Sequence, residues 1–186
     1  MCKFLTGKAR LQQTDRKRVW KLLDNELYRA KDGNIYIAPR NMLTDNFTIP
    51  LWISAIAGSP VDYDTRCSHV HDELCYTREA LMVTLTEKEL RDKGFLRFSE
   101  KNNMWVCEDI PIEYLTKRKV GKWETDNLLY ECLEAAGEPF LSRIMIRFGV
   151  FWNIGWYWDI LTHKVFKLDL ERVYEEAFWE ENVPKR

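Results

Sequence analysis

Apolar positions in the first fifty residues recur in short alternating bursts, without the three-and-four rhythm of an amphipathic helix. Val19, Trp20, Leu22 and Leu23 precede Asp24-Asn25, Leu27 and Tyr28 follow, and Ile35, Tyr36, Ile37 and Ala38 come after Asp32-Gly33-Asn34. An Asp-Gly pair suits the positive φ of a hairpin turn and needs a strand on each side. That requirement selects strands over a single helix across residues 16–29. Residues 1–15 show weak periodicity, and an N-terminal arm is expected over residues 1–18. In Leu43-Thr44-Asp45-Asn46-Phe47-Thr48-Ile49-Pro50 the Asp and Asn can bond nearby backbone and build a fixed loop. Pro50 can open a short helix that Gly58-Ser59-Pro60 ends.

From there the spacing turns helical. Asp62 or Asp64 is placed to cap a helix running to about Met82. Thr86-Glu87-Lys88-Glu89 matches a capping box and starts a short helix that stops at Gly94. Residues 95–99 and 104–107 flank Glu100-Lys101-Asn102-Asn103 as a hairpin, so residues 84–120 are expected to be an inserted helix-plus-hairpin element. Thr125 is expected to cap a helix over residues 126–136 with Gly137 past its end. Pro139 opens another to about residue 152, apolar on nearly every face apart from Arg143 and Arg147, the mark of a buried central helix. Leu170, Val173, Tyr174, Ala177 and Phe178 recur at helical spacing within a C-terminal helical tail, residues 160–186. The expected fold is α+β: one domain across residues 1–186, with a small antiparallel sheet covered by three or four helices.

Composition narrows the function classes. The chain has 186 residues, 46% hydrophobic, with only 8 Gly and 6 Pro, which is enough apolar material for a substantial core. The 8 Trp, 8 Tyr and 9 Phe fit a heavy aromatic core, and the densest cluster, residues 151–158, is expected to pack helices on the sheet. With 28 basic and 29 acidic residues, bulk attraction to nucleic acid or anionic membrane is not expected. The clusters Lys8, Arg10, Arg16, Lys17, Arg18, Lys21 and Lys117-Arg118-Lys119 with Lys122 read as solvated faces. The longest apolar stretch, residues 148–157, is broken by Asn153 and too short to span a bilayer. Five cysteines without a CxxC pair argue against a secreted disulfide framework, and no signal-peptide run opens the chain.

Candidate chemistry concentrates in Ser68-His69-Val70-His71-Asp72-Glu73-Leu74-Cys75-Tyr76, which holds two of the three histidines. His71 and His69 lie about 200° apart on a helix and cannot share an ion there. Cys67, His71 and Cys75 form one ridge, but ligands along a straight helix do not converge on one metal. A Cys75–His71 nucleophile pair lacks an orienting third group at the level of sequence. The leading expectation is a divalent-metal site, zinc or manganese, with His71, Asp45 and Asp126 as ligands. Asp72 and Glu73 are the candidate catalytic residues, Glu73 as general base and Asp72 alternatively as the group that orients His71. The competing expectation is a buried hydrogen-bonded clasp in which Asp45 and Asp126 only cap a loop and a helix.

The order Thr44-Asp45-x-x-Thr48-x-Pro50, His71-Asp72 leading to Tyr76, Thr125-Asp126 opening a helix, and Arg147-x-Gly149 resembles a family of small phage and prophage proteins catalogued as a domain of unknown function. The resemblance covers about residues 20–152. Thr48 stands where the family has Ser, Thr125 where it has Ala, an extra residue separates Leu74 from Tyr76, and the longer spacer before Asp126 fits the element at 84–120. The resemblance implies a phage origin, residence in the host bacterial cytoplasm or the virion, and attention to Asp45, His71, Asp72 and Asp126. The expected function is a phage-encoded metal-dependent hydrolase acting on a cell-wall peptide or another small amide or phosphate ester. The alternative is a non-enzymatic virion component or host-factor-binding protein, whose partners would be other phage or host proteins.

Overall fold

The structure, a computed structural model, describes residues 2–14, 20–44 and 64–152. In chain order the elements are β1 (Lys3–Phe4), β2 (Leu11–Gln13), β3 (Trp20–Leu22), β4 (Glu26–Arg29), β5 (Ile35–Ala38) and β6 (Leu43–Thr44), then α1 (Arg66–Thr77) and β7 (Glu79–Val83). The short helix α2 (Glu87–Asp92) leads into β8 (Leu96–Ser99) and β9 (Met104–Cys107). A single 3-10 turn precedes β10 (Leu115–Lys119), and α3 (Lys122–Ala135) and α4 (Phe140–Trp152) follow. Antiparallel sheets combined with helices make this an α+β fold, as the hydrophobic pattern predicts. The expected helix near residues 51–56, the loop at 45–50, most of the aromatic cluster at 151–158 and the tail at 160–186 lie outside the described residues.

The main sheet has five antiparallel strands in the order β1-β4-β5-β7-β10. Its seed is the Asp-Gly hairpin, with Leu27 opposite Ile37 and Arg29 opposite Ile35. Gly33 takes φ +91, and Asp32 Oδ1 accepts the Asn34 N–H at 2.9 Å. Side chains alternate across this sheet. Tyr28, Ala30, Tyr36, Ala38 and Ala80 join a cluster with Cys67, Val70 and Leu74 of α1 and Leu128, Leu129, Cys132 and Leu133 of α3. Leu27, Ile35, Ile37, Leu81 and Val83 face Leu90, Leu96, Cys107 and Ile110 instead. Covering both faces explains why β5 reads as an unbroken apolar run. Each large apolar side chain so buried contributes about 1.5–3 kcal/mol.

Four departures from the sequence reading bear on the site. The N-terminal segment is tied in: β1 pairs with β4, β2 with β3, and Leu5 is buried with its N–H bonded to Leu27 O at 2.9 Å. Two- and three-residue strands are too short to leave a periodic signature. Second, α1 stops at Thr77. Arg78 adopts φ 54 and returns its N–H to Leu74 O, and residues 79–83 become a strand between β5 and β10. Ala, Leu and Met there favour helix locally, but pairing on both edges overrides propensity. Third, residues 84–120 are woven into the fold. The capping box and the hairpin form as expected, yet Leu90 and Leu96 cover the sheet's second face and β10 supplies its last strand.

Fourth, α3 begins at Lys122 behind Gly121, so Thr125 lies inside the helix and donates its hydroxyl to Gly121 O at 3.2 Å. That places Asp126 in the second turn, on the side that meets α1. α4 packs on α3 but is not wholly buried: Ile146 is enclosed, while Phe140, Leu141, Ile144 and Phe148 stand exposed.

Candidate functional site

α1 and α3 lie side by side because Cys67, Val70 and Leu74 interlock with Leu128, Leu129 and Cys132 over Tyr28 and Tyr36. Their polar edges therefore meet just beyond that apolar contact. There His71 Nε2 stands 3.7 Å from Asp126 Oδ1, and His71 Nδ1 stands 3.9 Å from Asp72 Oδ1. Each carboxylate is held from behind. Thr44 at the end of β6 donates its hydroxyl to Asp72 Oδ2 at 2.6 Å, and Lys122 Nζ donates to Asp126 Oδ2 at 2.6 Å. The His71 side chain keeps 15% of its surface open and Asp126 5%, so both groups are largely enclosed between the two helices.

The electrostatics follow from this arrangement. Burial works against a charged His71, but Cys75, Asp126 and Asp72 outweigh it and hold its pKa well above the usual imidazole value. Burial would likewise raise the Asp126 carboxyl, and the nearby His71 ring together with the hydrogen bond from Lys122 brings it below the ordinary range instead.

Folding brings His71, Asp72 and Asp126 together from segments far apart in the chain. The two carboxylates address different ring nitrogens, which assigns them different capacities. Asp72, steadied by Thr44, is in the position of a group that fixes the ring's orientation through Nδ1. Asp126 Oδ1 and His71 Nε2 are spaced nearly as two ligands of one ion would be, since bonds of about 2.1 Å at an open tetrahedral angle hold their donors about 3.5 Å apart. Among the described residues no group of three His, Cys, Asp or Glu is placed to hold a metal ion. Asp45, the third ligand expected from sequence, lies outside the described residues, directly after Thr44. Glu73 is buried, and helical geometry sets it about 200° around α1 from His71.

Cys75 Sγ lies 3.5 Å from His71 Nε2 and 3.8 Å from Nδ1. A sulfur on the lone-pair axis of one nitrogen would be much farther from the other, so this one sits off the Cε1 edge or over the ring. It is not aligned for proton transfer.

No family profile, curated protein or solved structure matches this chain. The assignment of roles therefore rests on the geometry alone.

Two further groupings escaped the sequence. His69 is fully buried with Nδ1 2.8 Å from Glu26 Oε2, and the other oxygen of Glu26 accepts the Ala9 N–H at 2.6 Å. This pair clasps α1 to β4 and to the N-terminal segment. A lone Glu in a strand gives no periodic or motif signal, so nothing short of the β4–α1 packing would have found it. Arg147 donates to Asn127 Oδ1 at 2.6 Å and lies over the rings of Tyr130 and Trp123, linking α4 to α3.

Proposed function

We propose that the chain is a metal-dependent hydrolase of a small amide or phosphate ester, with His71 Nε2 and Asp126 as two ligands of a divalent ion. The observation that carries this reading is the 3.7 Å separation of those two donors, with a separate carboxylate, Asp72, at the opposite ring nitrogen. An ion held there would lower the pKa of a bound water and polarise the bond to be cut. The protein's own contributions are positional. Asp72, held by the Thr44 hydroxyl, lies on the Nδ1 side of the imidazole, and Lys122 neutralises the Asp126 oxygen that faces away from the ring. Donors of this kind, one nitrogen with carboxylate oxygens, suit zinc or manganese. The resemblance to phage proteins makes a bacterial cell-wall peptide the first substrate to assay.

Metal analysis of protein purified without an affinity tag tests this. About one zinc or manganese per chain is expected, lost in both His71→Ala and Asp126→Asn, together with hydrolysis of a peptide or phosphoester panel. A folded protein that takes up neither metal at micromolar concentration would overturn it. The alternative expectation, a non-enzymatic protein that binds a phage or host partner, draws support from the large exposed apolar side chains Trp123, Phe140, Leu141 and Phe148. Metal-free protein that leaves infected cells bound to another protein would favour it.

A further inference from the structure

Two donors from different directions approach the same nitrogen of His71. Asp126 Oδ1 comes from α3 and stands 3.7 Å from Nε2, and Cys75 Sγ comes from the next turn of α1 and stands 3.5 Å from it. Bonds of about 2.3 Å to sulfur and about 2.1 Å to nitrogen, opened to the tetrahedral angle, hold those two ligands about 3.6 Å apart. Both separations at Nε2 are thus close to those between ligands of one ion.

His71 and Cys75 are four residues apart, the interval at which one helix face presents two ligands to zinc in the H-E-x-x-H arrangement. Cys67, the remaining member of that ridge, is enclosed in the core between α1 and α3 and takes no part. Ligands along one straight helix do not converge, but Asp126 approaches from a second helix and supplies the missing direction. What is out of place is the bearing of the sulfur. It also lies 3.8 Å from Nδ1, and so stands off the lone-pair axis of Nε2. Cys75 is exposed, and a turn about its χ1 exchanges one staggered rotamer for another.

We propose that Cys75 is the third protein ligand of the ion at His71 and Asp126, giving a zinc centre of one imidazole, one carboxylate and one thiolate. The proposal rests on the metal-site reading above, and adds to it the sulfur and the identity of the ion. The thiol proton passes to solvent as the sulfur binds. Thiolate is a ligand that selects zinc, whereas carboxylate and water alone suit manganese. Three protein ligands leave zinc its fourth position for water, the pattern of a catalytic centre.

The test uses the full chain, purified without an affinity tag, with zinc, manganese and cobalt as probes. Cobalt bound to a thiolate gives an intense near-ultraviolet sulfur-to-metal band, expected in the wild-type protein and absent from Cys75→Ser. Because Cys75 is exposed, Cys75→Ser should keep its melting temperature. In competition with a chelating dye it should bind zinc about tenfold or more weakly and bind manganese as before, so that the preference between the two narrows. Zinc should also protect Cys75 from alkylation by iodoacetamide. Unchanged zinc affinity in Cys75→Ser, a wild-type cobalt complex without the sulfur band, or undiminished alkylation at zinc saturation would overturn the thiolate ligand, with zinc still held through His71 and Asp126. A wild-type chain that takes up none of the three metals would instead overturn the metal-site reading itself.

Discussion

Replacing Glu26 with alanine should damage the fold severely. The Glu26 side chain has no exposed surface, and its two oxygens take the Ala9 N–H at 2.6 Å and His69 Nδ1 at 2.8 Å. Its removal leaves the fully buried His69 facing a void and the Ala9 amide without an acceptor. Breaking a buried pair from one side costs about 3–5 kcal/mol, most of it the desolvation of the partner left behind. In a chain of this size each kcal/mol lowers Tm by about 2–4 °C, so the loss should be roughly 6–20 °C. His69→Ala should cost a similar amount by stranding the carboxylate. The double change Glu26→Met/His69→Leu removes both desolvated groups and leaves the Ala9 amide unpaired, about 1–3 kcal/mol. The double variant should therefore be more stable than either single one. Urea unfolding followed by tryptophan fluorescence measures all three. Additive costs, or a Glu26→Ala penalty under about 1 kcal/mol, would refute the claim that this pair is a mutually dependent buried clasp.

Three smaller perturbations probe other parts of the account. Thr44→Val frees Asp72 Oδ2 and should weaken zinc or manganese uptake about 10–100-fold, as a competition titration with a chelating dye would show, at a stability cost of about 1–3 kcal/mol. A Cβ on Gly7 would fall 2.4 Å from Met104 Sδ and 2.9 Å from its Cβ, so Gly7→Ala should cost about 1–3 kcal/mol, and adding Met104→Ala should recover part of it. Asp64 is bonded by the Arg66 guanidinium and backbone N–H; burial would raise its pKa, but Arg66 holds it below the usual value. Because the folded pKa is depressed, its contribution is present above the unfolded value near 4 and fades as pH falls through the folded one. Asp64→Asn should thus lower stability by about 1.5–3 kcal/mol near neutrality, with the gap to wild type closing below about pH 4. A gap that stays constant down to pH 2 would contradict this.

What the sequence disclosed were features encoded locally. Asp32-Gly33 announced the β4–β5 hairpin, Thr86 with Glu89 the start of α2, and Gly137-x-Pro139 the break between α3 and α4, because each carries its own turn or cap chemistry. What it concealed was decided by partners distant in the chain. Glu79 to Val83 reads as helix until β5 and β10 are present to pair with it, and Thr125 reads as a cap until Gly121 is seen to take that place. The candidate site divides the same way. His71-Asp72 stood out as an adjacent pair and Asp126 by its position after Thr125, whereas Thr44, Lys122 and Glu26 gained their roles only from packing.

The placement of β7 between β5 and β10 also governs when the molecule can form. The β4–β5 hairpin closes over a few residues and can assemble within microseconds. Its next neighbour must pair residue 83 with residue 35 across everything in between, a far larger loss of chain freedom before any contact repays it. During synthesis the hairpin therefore waits with an open flank until α1 and β7 leave the ribosome. Changes that loosen the Arg78 reversal should slow refolding more than they hasten unfolding.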